Sequence, residues 1–256
     1  MTRAAGLERS ESLLPTPDGY LQQATLPLPA LVVLLPLILI YEVGTQYLTT
    51  AALHGQEQQI IAFSKMQQFF RLFGATGRHM PAMAVVGMLL GWHIARKDVW
   101  KVNLSTMGGM IVESVVLGLP LLLLAYLVNH YFPLIGLQAA EGWPKMDRST
   151  LDRLIMDVGA GVYEEFVFRL ALFALLSFIL KDLFRFRDRA SYPLMVLISG
   201  LLFSLYHYWS PTEHFVFRIF AFRMLAGIYF SVIFMFRGFG VTALSHCSYD
   251  VVITLF

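Results

Sequence analysis

The residues best suited to chemistry lie in YEEFVFR, residues 163–169, where two adjacent carboxylates and an arginine interrupt a segment otherwise apolar enough for a lipid bilayer. Ionised groups at bilayer depth are costly unless paired or hydrated, so they are rare there and tend to be functional. On a helix, Glu165 and Arg169 stand one turn apart on the same face and can neutralise each other. Glu164 projects about 100° away from that pair. One carboxylate is thus tied down, and the other is left to face a cavity. Two histidines extend the set. Phe203 and His207 share a helical face within FSLYH, and His246 and Asp250 share one within HCSYD. A single buried histidine or glutamate is commonly a satisfied packing residue. A glutamate pair with two histidines, each with a helical partner, favours a common site.

These residues need elements to carry them. The chain has 256 residues, 57% hydrophobic and 14% charged, with a mean hydropathy of +0.64, too apolar for a soluble domain of this size. The expected fold class is all-α, a polytopic integral membrane bundle. With roughly 20 apolar residues needed per crossing, about seven transmembrane helices fit. The predicted spans are 28–50, 80–95, 107–131, a long helix from about 149 to 184, 191–209, 214–236 and 238–256. Residues 56–73 alternate glutamines with Ile60, Phe63, Met66 and Phe70 at helical spacing, which predicts an interfacial amphipathic helix or a plug over the bundle. Ser149 or Thr150 is placed to cap the long helix, with Asp152 in its first turn.

No internal repeat or low-complexity linker divides the chain. The domain reading is a polar N-terminal segment, 1–27, followed by one transmembrane domain, 28–256, with the motif-bearing core at 150–256. The apolar run that starts span 1 lacks a small-residue cleavage site and is expected to remain as an anchor. Basic residues favour a cytoplasmic N-terminus, Lys181, Arg185, Arg187 and Arg189 forming the densest block. A net charge of +2 without a basic patch gives no sign of nucleic-acid binding. The single cysteine, Cys247, excludes an internal disulfide, and as the chain neighbour of His246 it does not face that ring on a helix.

Glu42, Glu113, Arg218 and Arg223 also fall inside predicted spans. The plain expectation is two structural ion pairs tying spans 1 and 3 to span 6, because unpaired charges there are costly. A sharper one is that Arg218 or Arg223 meets the carboxylate end of a bound peptide. His54, His79, His93, His130 and His214 lie near span ends and are expected to be interfacial.

The order EExxxR (Glu164, Glu165, Arg169), FxxxH (Phe203, His207), then HxxxD (His246, Asp250), each on its own span, resembles the CPBP family of intramembrane proteases. That family includes the eukaryotic CAAX-processing endopeptidases and bacterial Abi-type proteins. Each motif alone is weak; all three in order, in apolar spans, are specific. The resemblance covers residues of about 150 to 256. It implies an intramembrane endopeptidase acting on a membrane-associated or lipid-linked protein or peptide, with Glu164 as general base, His207 holding the water, and His246 and Asp250 stabilising the oxyanion. Glu165, Arg169 and Phe203 are supporting residues. Where the family frequently has asparagine, this chain has Asp250, which donates a hydrogen bond only when protonated and can instead orient His246. The expected partners are the lipid bilayer and a membrane-anchored substrate, and the expected location is the plasma membrane of a prokaryote. No HExxH helix is present, and no cofactor is expected. Zinc on the glutamate and histidine side chains is the alternative. Two rival functions remain open on the residues alone: a non-proteolytic scaffold or immunity protein of the same fold, and a proton-coupled transporter, which the lack of a repeat disfavours.

Overall fold

A computed structural model describes residues 19–51, 59–131, 149–210 and 213–256. The described residues are helical with no strand. They form α1 (Tyr20–Gln23), α2 (Pro27–Ala51), α3 (Ile61–Leu72), α4 (Met80–Arg96), α5 (Leu104–Tyr131), α6 (Thr150–Glu165), α7 (Leu172–Ser177), α8 (Asp188–Tyr206) and α9 (Phe217–Leu255). Residues 27–50, 104–131, 188–209 and 217–255 are helices long and apolar enough to cross a membrane, and Met80–Arg96 is a shorter apolar helix. The chain is an integral membrane protein with an all-α bundle fold. Residues 132–148, His54 and most of the polar N-terminal segment lie outside the described residues.

Predicted spans 6 and 7 are the two arms of α9, which folds back on itself at Gly238. Phe230 on one arm stacks on His246 of the other at 4.6 Å between ring centroids, and Phe222 lies 6.1 Å from Tyr249. At the reversal Gly238 has φ 74° and ψ −179°, a conformation open essentially to glycine alone. The reversal is also closely packed, because a Cβ there would lie 3.1 Å from the Thr25 Cα.

The long motif-bearing helix does not run as plain α-helix to 184. It begins as predicted, with Ser149 Oγ accepting from the Asp152 amide at 3.2 Å. After Glu165 it widens into π-helical turns at Phe166–Ala171 and again at Phe178–Leu183, with α7 between them. Such widened turns concentrate at functional sites. This helix reaches close to the second arm of α9 because position 161 is glycine. A Cβ on Gly161 would lie 2.2 Å from Cys247 Sγ and 2.6 Å from the Cys247 amide nitrogen. Cys247 thus faces α6, where its thiol donates to the Val158 carbonyl at 3.5 Å, and does not face a catalytic ring.

The amphipathic segment is helical over Ile61–Leu72 and packs its apolar face on the bundle. Phe63 is buried with its ring 5.1 Å from Tyr41 and 4.9 Å from Tyr163, so α3 covers α2 and α6 beside the glutamate pair.

The expected ion pairs of the buried charges are corrected. Glu42 pairs with His79 at 2.5 Å and accepts from the Tyr163 hydroxyl at 3.3 Å, linking α2 to α4 and α6. Glu113 pairs with neither Arg218 nor Arg223 but with Arg237, at the junction of predicted spans 6 and 7, in a two-point contact at 2.5 and 2.7 Å, with Tyr20 also donating to it. Arg237 further donates to the Leu21 carbonyl at 3.0 Å, so residues 20–23 are a docked helix rather than part of a free polar tail. Arg218 donates to Asn129 Oδ1 at 2.7 Å, and Arg223 pairs with Glu213 at 2.7 Å. These partners are polar groups at helix ends and in loops, where sequence spacing gives no warning. His93, in the last turn of α4, is buried against Trp100 at 4.3 Å.

Candidate active site

The site forms where α6, α8 and the hairpin of α9 meet. Glu165 and Arg169 are both fully buried, with Arg169 Nη1 3.1 Å from Glu165 Oε1. Arg169 Nη2 donates to the Gly227 carbonyl at 3.0 Å, which ties this helix to the first arm of α9. The guanidinium lies over the Phe203 ring at 4.5 Å from its centroid. That ring also meets His207 at 5.2 Å and His246 at 5.9 Å, edge-on. Phe203 is therefore the common wall behind the arginine and both imidazoles.

Glu165 has a second partner that the helical spacing did not suggest. Its Oε1 is 2.8 Å from His246 Nδ1. The other nitrogen of that ring, Nε2, lies 3.2 Å from Asp250 Oδ2 and 3.9 Å from Glu164 Oε2. Phe230 stacks on the ring face. With carboxylates on both edges, hydrogen must be shared among His246, Glu165 and Asp250: either both ring nitrogens carry it or one carboxyl does. Asp250 thus meets the histidine edge-on, the contact by which a carboxylate orients an imidazole.

Glu164 is 6% exposed and faces a cavity of about 460 Å³ whose wall also holds His207, His246, Asp250, Phe230 and Arg223. Its Oε1 accepts from the Tyr206 hydroxyl. Tyr206 was missed in the sequence, although it sits within FSLYH; nothing in helical spacing links it to residue 164. His207 does not continue α8. The helix ends at Tyr206 and His207 opens a short 3₁₀ turn, so this ring is held at a helix terminus. Its Nδ1 is 2.8 Å from the Phe203 carbonyl oxygen. A carbonyl only accepts, so Nδ1 carries the hydrogen and the neutral ring keeps Nε2 as an acceptor.

Among the described residues no group of three or more His, Cys, Asp or Glu side chains is arranged to hold a metal ion. Both nitrogens of His246 already meet the protein's own carboxylates, which does not suit a zinc ligand set.

Tyr206, whose hydroxyl meets Glu164, also lines an apolar cavity of about 530 Å³ together with Met66, Phe69 and Phe70 of α3 and Phe166, Phe168 and Trp209. The class defined by these features is a membrane-embedded helical enzyme with a buried carboxylate and imidazole cavity. Residues 148–252 match the family described as type II CAAX prenyl endopeptidase Rce1-like, in accord with the motif order. The C-terminal segment is thus similar to the CAAX proteases, and the protein is an intramembrane protease. No curated protein and no solved structure matches the chain.

Proposed function

We propose that the protein is an endopeptidase that cleaves a membrane-associated or lipid-linked protein or peptide with a water molecule activated by Glu164 and His207. The observation that carries this reading is the convergence of Glu164, His207, His246 and Asp250, drawn from three separated sequence motifs, on one cavity wall. Peptide hydrolysis needs water where lipid excludes it, and a cavity walled in part by carboxylate, imidazole and guanidinium groups provides the place.

In this mechanism water sits between Glu164 and the free Nε2 of His207. Glu164 takes a proton as the water oxygen attacks the carbonyl carbon, and it returns that proton to the nitrogen that leaves when the C–N bond breaks. On substrate binding the Nε2–H of His246 turns from Asp250 to the oxyanion, while Glu165 holds Nδ1 and fixes the ring. The reaction is proposed to run without a metal. The apolar cavity that Tyr206 also lines suits an alkyl or isoprenoid chain attached to the substrate. We further propose a prokaryotic plasma membrane with a cytoplasmic N-terminus, supported by the basic block at 181–189.

The test is cleavage of lipidated and transmembrane peptides by purified wild-type protein and Glu164→Gln in detergent, with and without a chelator. The expected result is cleavage by wild type alone, unchanged by chelation. Retained cleavage in Glu164→Gln would remove Glu164 from the mechanism. Activity lost to the chelator and restored by zinc would replace it with metal chemistry.

A further inference from the structure

The catalytic reading uses one wall of the 460 Å³ cavity and leaves Arg223 on the same lining unexplained. Arg223 stands on the first arm of α9, two turns before Phe230, which stacks on His246. That separation is about 10 Å along the helix axis.

Among the described residues its charge partner is Glu213, from the irregular stretch 213–216 that precedes α9, and its guanidinium also lies 5.8 Å from the Tyr208 ring centroid. The contact is one-pointed: Nη2 meets Glu213 Oε1 at 2.7 Å, while Nη1 is buried and makes no hydrogen bond among the described residues. A guanidinium in a site of this kind is best satisfied by a carboxylate that engages both terminal nitrogens. The pair is also partly wet, with side chains 15% and 19% exposed, so exchange of the carboxylate does not strand a fully buried charge.

We propose that Arg223 is the docking point for a free C-terminal carboxylate of the substrate, and that Glu213 occupies that point as an internal stand-in when no substrate is bound. This inference rests on the peptidase reading for its meaning, but its chemistry is that of carboxylate binding. A substrate terminus displaces Glu213 and uses the half-idle guanidinium fork. Arg223 is then a specificity-determining residue that selects chain ends over internal loops and fixes the distance from the end to the reacting bond.

The test measures binding rather than cleavage, in the Glu164→Gln background. A fluorescent palmitoylated hexapeptide is made as the free acid and as the C-terminal amide, and both are titrated in detergent. The acid is expected to bind about ten- to a hundredfold more tightly than the amide, the range of a charged hydrogen bond. Adding Arg223→Gln erases that preference. Adding Glu213→Gln tightens the acid and leaves the amide unchanged. The Arg223→Gln/Glu213→Gln combination, which leaves neither charge unpaired, controls for misfolding and should also show no preference. Equal binding of acid and amide, no binding of the acid, or a preference that survives Arg223→Gln overturns the proposal. Acid-selective binding by a wild-type protein that cleaves nothing would instead count against the peptidase reading and leave the docking point standing.

Discussion

Arg169→Met isolates the energetic centre of the bundle. Methionine fills much of the arginine's volume but removes its charge and its bond to the Gly227 carbonyl. Among the described residues Glu165, fully buried, is then left with His246 as its close charged partner. Removing one member of a buried pair costs about 3–5 kcal/mol, because the remaining charge stays desolvated. The folding equilibrium should fall by about two to three and a half orders of magnitude. Adding Glu165→Gln removes the stranded charge, so the double variant should recover most of the loss, with a coupling energy of about 2 kcal/mol or more. Reversible denaturant titration in mixed micelles, followed by tryptophan fluorescence, measures all four corners of the cycle. The double variant should be folded yet weak in catalysis, since His246 loses the carboxylate on Nδ1. If Arg169→Met alone changes stability by less than about 0.5 kcal/mol, or the two changes simply add, the pair is not the structural tie argued above.

Two glycines give independent checks on the helices that carry the site. Gly238→Ala places a side chain at φ 74° and ψ −179° and should destabilise by about 1–3 kcal/mol, read by the same titration; an unchanged midpoint would mean that the hairpin reverses elsewhere. Gly161→Ala directs a methyl group at Cys247 Sγ and its backbone nitrogen, so cleavage should fall even where the fold survives. Cys247→Ala should rescue it only in part, because the backbone contact at 2.6 Å remains. Complete rescue would show that the sulfur alone sets the spacing.

The sequence by itself determined the fold class and the supply of chemical groups. Apolar runs long enough to cross a bilayer leave few arrangements other than helices, since backbone polar groups in lipid must bond within their own segment. Helical spacing alone therefore linked Glu165 to Arg169, and the start of α6 followed from Ser149 and Asp152. The order of three motifs pointed to the protease family that residues 148–252 match.

Only the tertiary structure decided which groups meet. Glu165 and His246 are 81 positions apart, and Tyr206 reaches Glu164 across 42. No periodicity within one helix encodes such contacts; they depend on how closely helices approach, which Gly161 and the reversal at Gly238 set. The buried charges show the same division. Their presence predicted that partners exist, because an unpaired charge is too costly. Which partner each took was settled by packing: Arg237 for Glu113, His79 for Glu42, and Glu213 for Arg223. Coulomb attraction favours any opposite charge within reach, and reach is a property of the assembled bundle.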